Sequence, residues 1–395
     1  MSQNEEVIFN MKILIINYEF PPLGGGGGVA SYDLAVELAK KHHVDVLTSN
    51  FKDLPQFENI QGVNVYRCPV LFRNSRDAAS FMSMKSYLFS GFKKGAQLIR
   101  KNRYDVINTH FALLSGTLGW ILSKFYRIPN VLSIHGSDIY NPSKIMSPHR
   151  NFIFRAVVKF VLNGAQKVVA QSANTKENAV KYYNPNKEID IIPLPFNPPA
   201  FRKTNKIKMG FKATDFILVT IGKLVKRKAI DVQLKALSIL NEKRVKLVIV
   251  GNGTEMNYLT NKVKKLDLTD KVIFAGCIPE NEKFKYLSIA NLYVMTSLYE
   301  DFGREFMEAM NFGLPVVTTN HGGQTDFLAD GENALLIDVG DVSECANSIQ
   351  KFMKNKRLYN KCSQNNRKKV KIFYANHIAA QYEEIFRMEM VRFVK

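Results

Sequence analysis

Along the first half of the chain, short runs of apolar and β-branched residues recur at Lys12–Asn17, Val44–Thr48, Val63–Arg67, Val106–Thr109, Asn130–His135, Lys167–Gln171 and Ile189–Pro193. Helix-length patterns separate most of them, among them Val29–Lys41 and Leu113–Tyr126. The rhythm restarts in the second half, with runs at Phe216–Ile221, Leu247–Val250, Val272–Ala275, Leu292–Thr296, Val316–Thr319 and Ala334–Ile337. Between the halves, prolines at 193, 195, 198 and 199 can continue neither a helix nor a central strand, which marks a linker. Apolar strands alternating with helices predict parallel sheets covered on both faces. The expected fold is therefore α/β, with two tandem doubly wound domains at residues 1–197 and 198–375. A cleft between them would face the carboxyl ends of the strands. The last amphipathic segment, roughly His377–Val394, predicts a terminal helix in 376–395 that packs back on the first domain.

The length of 395 residues agrees with two domains, since single cores stop growing well below that size. Of the cysteines Cys68, Cys277, Cys345 and Cys362, none forms a Cys-x-x-Cys pair, so reduced thiols are expected. No run approaches the roughly 18–20 apolar residues of a membrane span. The opening Met-Ser-Gln-Asn-Glu-Glu lacks a signal-peptide pattern, so the expectation is a cytoplasmic protein, soluble or peripheral.

The formal net charge of +20 changes this picture, because it calls for an anionic partner. Residues 67–103 hold nine Arg or Lys against the single acid Asp77, and a second basic run spans Arg367–Lys371. Within 81–101, Tyr87, Leu88, Phe92 and Leu98 mingle with Lys85, Lys93, Lys94 and Arg100. Aromatic and basic residues together suit an anionic membrane surface, here the inner face of the cell membrane. The plainer reading makes those aromatics the core of an ordinary domain helix. No nucleic-acid partner is expected, since no helix-turn-helix, RNA-recognition or zinc signature accompanies the charge.

Several loops at predicted strand ends carry candidate chemistry. Gly24–Gly28 separates the first strand from the first helix, but it comes late after the strand. No acid closes the second strand to hold a ribose, so a dinucleotide fingerprint fits poorly and a mobile glycine loop is expected. His110 and His135 stand at the ends of strands, where ligands of parallel sheets bind. The Gly222–Lys228 stretch places cations directly after a strand, suited to a diphosphate. Leu247–Gly253 is a strand ending in a tight turn. The richest stretch is Ser297–Val317, with Glu300 in a loop, Glu308 inside a helix of about 304–311, and Gly313 as its C-terminal stop. A loop carboxylate there can accept hydrogen bonds from sugar hydroxyls, and the helical one from a ribose. The amides around Phe302–Arg304 open the helix and can face phosphate.

These residues resemble glycosyltransferase family 4, retaining enzymes with two Rossmann-like domains in the GT-B architecture. The resemblance runs over nearly the whole chain, through Pro21-Pro22 with the glycines, His135-Gly136-Ser137-Asp138, Val169–Glu177, Gly222–Lys228, Gly251-Asn252-Gly253, the Glu300/Glu308 pair, Gly313–Val317 and Gly322-Gly323. It implies that Lys223 and Lys228, beside Gly222 and Asn252, bind the donor diphosphate. Glu300 would hold the donor sugar with backbone help from Phe302, Gly303 and Arg304. Glu308 would hold the ribose, and Cys277 or Ile278 would flank the base. His135 with Gly27 and Gly28 would close over the sugar. The family needs no metal, and the nucleotide-sugar is a co-substrate rather than a cofactor.

The implied reaction moves a hexose from a UDP- or GDP-sugar to a glycan or lipid-linked acceptor in surface polysaccharide or glycolipid synthesis. The leaving phosphate would help deprotonate the acceptor, so no carboxylate nucleophile is expected. The chain departs from the family pattern at Lys223 (usually Arg), Ala229 (usually Gly), Arg304-Glu305 (commonly apolar), Asp326 (frequently Glu) and the linker Pro193–Asn197. Rival readings are a sugar-nucleotide epimerase, which would convert the donor without an acceptor, a non-catalytic nucleotide-sugar-binding relative, and a basic nucleic-acid-binding protein.

Overall fold

The computed structural model describes residues 10–73, 81–143, 146–201 and 204–394; Arg76 and Asp77 of the basic stretch lie outside them. The chain divides into two compact units, Met1–Asn197 joined by Phe373–Lys395, and Pro198–Ile372.

The first unit runs β1 (Lys12–Ile16), α1 (Gly26–Ala39), β2 (His43–Ser49), β3 (Phe57–Ile60), β4 (Val63–Cys68), α2 (Phe81–Asn102), β5 (Val106–His110), α3 (Leu114–Tyr126), β6 (Asn130–Ile134), α4 (Phe152–Gly164), β7 (Lys167–Ala170), α5 (Ala173–Tyr183) and β8 (Ile189–Ile191). Its eight strands lie in the order β3-β4-β2-β1-β5-β6-β7-β8, parallel except for the β3–β4 pair. The strands β1, β5 and β6 are buried almost throughout, which is why they read as continuous apolar runs. β3 escapes the sequence pattern because Phe-Glu-Asn-Ile is short and half polar. It forms through the turn at Gln61-Gly62, where both residues take positive φ.

The second unit continues with β9 (Phe216–Ile221), α6 (Ile230–Leu240), β10 (Val245–Val250), α7 (Met256–Lys265), β11 (Val272–Gly276), α8 (Glu280–Ile289), β12 (Leu292–Met295), α9 (Arg304–Asn311), β13 (Val316–Thr319), β14 (Ala334–Ile337), α10 (Val342–Lys354) and α11 (Lys356–Lys369). Its six strands are all parallel, in the order β11-β10-β9-β12-β13-β14. Chain progression therefore reverses between β9 and β12, and in the first unit between β1 and β5. Each such switch point leaves a crevice at the carboxyl edge of the sheet. Both units are doubly wound α/β, Rossmann-like sheets.

One expectation is corrected. Gly26–Gly28 are not a mobile loop but the first turn of α1. Close approach favours glycine at two of the three: a Cβ on Gly27 would lie 2.5 Å from Cζ of Phe111, and one on Gly28 would lie 3.1 Å from the Glu19 carbonyl oxygen. Of the residues named for a membrane surface in 81–101, the four apolar ones pack inward, while Lys85, Lys93 and Arg100 are exposed and Lys94 is half-buried. Tyr87 and Leu98 belong to the core under β1, β2 and β5, with Leu88 and Phe92 packed against it.

The crossing back to the first unit falls after Ile372, three residues before the boundary expected at 375. Backbone hydrogen bonds explain this: Phe196 N donates to Phe373 O (2.8 Å) and Ala375 N to Phe196 O (3.0 Å). The last helix, α12 (Ala375–Val394), lays Ile378, Ala379, Tyr382, Ile385 and Phe386 onto the α1 side of the first sheet. The Tyr382 hydroxyl meets Ser133 Oγ at 2.9 Å, tying the helix to β6. Phe386 is fully buried, so Phe386→Ala is expected to destabilise the first unit by about 3–5 kcal/mol. Urea denaturation followed by circular dichroism measures this; a loss under about 1 kcal/mol would contradict an integral role for α12.

Candidate functional site

In the second unit, β9 ends in a turn built from glycines. Gly222 has φ +150°, and a Cβ on Gly251 (φ +136°) would lie only 1.9 Å from the Gly222 carbonyl oxygen. A Cβ on Gly253 would lie 2.2 Å from the Leu224 carbonyl oxygen. Gly222 N donates to Val250 O and Leu224 N to Asn252 O, each at 3.0 Å. The loops after β9 and β10 are thus pressed backbone to backbone, which no side chain permits. This contact leads the chain into a single 3-10 turn, Lys226–Lys228, beside the β9/β12 switch point.

Across the switch point, the loop after β12 brings in Glu300. Its Oε1 lies 2.7 Å from Lys228 Nζ and its Oε2 lies 3.0 Å from Arg227 Nη1. Arg227 also donates to the Tyr299 carbonyl. The loop is anchored from behind, where Gly323 N donates to Glu300 O at 2.8 Å. Glu300 is 4% exposed, and burial alone would raise its pKa. The charges of Lys228 and Arg227 outweigh that and hold it at about 2. This carboxylate stays ionised.

One turn into α9, Glu308 accepts from Lys283 Nζ of α8 at 2.8 Å, with Arg304 Nη1 at 3.5 Å. Its other oxygen, Oε2, is buried without a hydrogen-bond partner. Burial raises the Glu308 pKa against the pull of Lys283 and Arg304. An acceptor left open in a buried place suits a hydroxyl donor. The atypical pair at 304–305 has a local account as well: Arg304 turns to Glu308, and Glu305 Oε1 comes within 4.0 Å of Lys228 Nζ. Phe302 is buried with its ring centre 4.8 Å from that of Phe327, and Gly303 (φ +85°) starts the helix.

The structure therefore brings Gly222, Lys228, Glu300, Phe302, Gly303, Arg304 and Glu308 to one edge of one sheet. Lys223 is exposed on the turn and enters none of these ion pairs, while Arg227, passed over in the sequence, does. Asn252 is exposed, its Oδ1 accepting from Gly253 N at 2.7 Å. Cys277 is exposed and Ile278 partly buried, both following β11 at the same edge. Lys283 was missed too, since its only local signal is an i,i+3 pair with Glu280 at 3.0 Å. The four cysteines are free thiols, all but Cys277 buried.

At the carboxyl edge of the first sheet, His135 Nε2 lies 2.9 Å from His110 Nδ1, and His110 Nε2 lies 2.9 Å from Asn108 Oδ1. The Asn108 amide nitrogen donates to Val131 O, which leaves its Oδ1 as an acceptor. His110 then donates through Nε2 and accepts through Nδ1, and His135 donates through Nε2. Its Nδ1 is a buried acceptor without a hydrogen-bond partner. Burial lowers the His135 pKa to about 4, and burial with the neighbouring His135 holds that of His110 well below its usual value, so both rings are neutral near pH 7. Asp138 fixes the loop by accepting from the amides of His135 (2.9 Å) and Ala112 (2.6 Å). The Phe111 ring packs 4.4 Å from His135, on the side Gly27 approaches.

Two doubly wound sheets with an ion cluster at a switch point are the arrangement of GT-B glycosyltransferases. The sucrose-phosphate synthase of Thermosynechococcus elongatus superposes with a TM-score of 0.84 at 22% identity, covering 97% of this chain and 100% of that one. Anabaena HepE, solved in complex with UDP-glucose, gives 0.76 at 21% identity, over 96% and 100%. In sequence, the mannosylfructose-phosphate synthase of Agrobacterium fabrum is 28% identical over 87% of this chain and 82% of its own. The model of "Glycosyltransferase Family 4" matches residues 24–198 and that of "Glycosyl transferases group 1" matches 201–369. The chain belongs to this family, the group 1 glycosyltransferases of family 4.

The Glu300 cluster has a signature in pH. A carboxyl whose folded pKa is depressed contributes stability above its unfolded pKa, near 4.5, and loses it as pH falls toward about 2. Wild type should therefore lose more unfolding free energy than Glu300→Gln between pH 5 and pH 2, and parallel urea titrations compare the two. Equal slopes would show that the carboxylate is not held by Lys228 and Arg227.

Proposed function

We propose that this glycosyltransferase works with retention of configuration, moving a hexose from a UDP- or GDP-sugar to a glycan or lipid-linked acceptor. The observation that carries this reading is the Lys228–Glu300–Arg227 cluster at the β9/β12 switch point, with the open Oε2 of Glu308 close by in α9. Lys228 is the cation for the donor diphosphate, and Gly222 lets that backbone and the lysine share one turn. Glu308 Oε2 accepts a ribose hydroxyl. Glu300, ionised and oriented by two cations, accepts hydrogen bonds from the sugar. Its two ion pairs make it a positioning group rather than a nucleophile. A neighbour of the same fold holds UDP-glucose, which supports a donor of this class.

In the reaction, the bond from the anomeric carbon to the diphosphate oxygen breaks and the acceptor oxygen bonds to that carbon on the same face. The acceptor proton passes to the leaving phosphate oxygen, and Lys228 stabilises the charge that grows there. No metal is required by this scheme. His135, neutral with Nδ1 as an acceptor, is the first unit's candidate for a sugar hydroxyl. The acceptor and the setting, polysaccharide or glycolipid synthesis by a cytoplasmic protein peripheral to the inner face of the membrane, are proposed on the basic charge of the chain.

Thermal-shift measurement against a panel of nucleotide-sugars should single out one donor, and product NMR should show the donor's anomeric configuration kept. Lys228→Ala and Glu300→Ala should each cut transfer by about 10²–10³-fold or more while the far-ultraviolet circular dichroism stays that of the wild type. Near-normal transfer in either variant defeats the assignment, and donor conversion without acceptor would mark an epimerase instead.

A further inference from the structure

The helices α2, α3 and α4 lie side by side on one face of the first sheet, the face opposite α1 and α12. They have 22, 13 and 13 residues, and at the chain's average of 35 acids in 395 residues they would hold about four acids. They hold none. Instead they carry Lys85, Lys93, Lys94, Arg100, Lys101, Lys124, Arg155 and Lys159, all exposed except the half-buried Lys94. The opposite layer carries both signs, with Asp33, Glu37, Glu383, Glu384 and Glu389 beside Arg387 and Arg392, although Asp33, Glu383 and Glu389 are buried. The α5 helix, packed beside α4 in the same layer, adds Lys176 and Lys181 with one acid, Glu177, so the layer as a whole stays strongly basic.

The same face carries large apolar side chains turned to solvent. Phe89 is 81% exposed, Phe125 67% and Phe152 80%, with Met82, Ile153 and Phe160 each more than half exposed. They are not scattered. Phe92 of α2 meets Phe125 of α3 with ring centres 6.2 Å apart, and Trp120 of α3 meets Phe160 of α4 at 4.5 Å. Gly91 and Gly95 let α2 lie close on Leu118 and Leu122 of α3, so the layer is continuous. A depression of about 820 Å³ opens along α2, lined by Phe89, Phe92, Ala96, Lys93, Arg100 and Lys101.

We propose that the α2–α3–α4 face docks on an anionic phospholipid bilayer. The protruding phenylalanines would enter the interface, and the lysines and arginines would pair with the headgroups. Charge argues against a second copy of this chain as the occupant, since two such faces would set like charges against each other. The apolar protrusions are more than a phosphate backbone needs, which favours lipid over nucleic acid. No helix among the described residues is long and apolar enough to cross a membrane, so the contact would be peripheral. The inference refines the membrane part of the reading above and stands independently of donor binding.

The chain's only tryptophan, Trp120, sits in this layer and reports on it. Vesicles of phosphatidylcholine with and without phosphatidylglycerol, mixed with the full-length protein, should give a blue shift of Trp120 emission and cosedimentation only when phosphatidylglycerol is present. The triple variant Lys85→Glu, Lys93→Glu, Lys159→Glu should weaken binding at least tenfold. Phe89→Ser with Phe152→Ser should weaken it most at raised salt, where charge is screened. All these variants should keep the thermal shift with the nucleotide-sugar, so a failure here is distinct from a failure of the transferase reading. The proposal is overturned if the wild type ignores phosphatidylglycerol vesicles at moderate salt, or binds neutral vesicles equally well. It also falls if the variants bind like the wild type, or if DNA competes the protein off the vesicles.

Discussion

The burial of the Glu300 carboxylate is the constraint around which the second unit is arranged. Taking an ion out of water costs several kcal/mol, and removing one partner of such a pair commonly costs about 3–5 kcal/mol. The carboxylate is tolerable only because Lys228 and Arg227 meet its two oxygens from the loop after β9. That meeting depends on Gly222, Gly251 and Gly253 pressing the neighbouring loops together, and on Gly322-Gly323 gripping Glu300 from behind. Glycines that look like loose loop residues are therefore the points of closest backbone approach.

The same economy explains the atypical residues. An arginine and a glutamate where the family is commonly apolar would each be costly in a pocket if unpaired. Here Arg304 shares Glu308 with Lys283, and Glu305 faces Lys228, so the added charges extend an existing network rather than oppose it. In the first unit the solution is different. His110 and His135 are kept neutral by burial and ordered by a chain of hydrogen bonds from Asn108, which leaves one nitrogen acceptor open at the edge of the sheet.

The surplus of positive charge is also not spread evenly. In the first unit it gathers on α2, α3 and α4, which hold no acid and cover much of one side of the sheet, while α11 forms a second acid-free basic helix in the second unit. A one-sided field of this kind steers an approaching anionic surface and orients the protein on it. The protruding aromatics on the same side add a contact that outlasts screening by salt.

The sequence by itself determined every strand but β3, their alternation with helices, the bounds of α9 and the cluster of family residues around Glu300. Parallel strands buried on both faces must be apolar, and turns of positive φ favour glycine, so both leave marks that single residues can carry. Tertiary structure alone decided what those residues touch. Arg227 rather than Lys223 reaches Glu300, Lys283 reaches Glu308, and His110 orders His135, all across gaps in sequence that no local pattern encodes. It decided, too, that Gly26–Gly28 begin a helix and that Phe89, not Tyr87, faces water. On a helix that is apolar and basic all around, the inward side is chosen by the neighbour it packs against, and that neighbour is brought there by the fold.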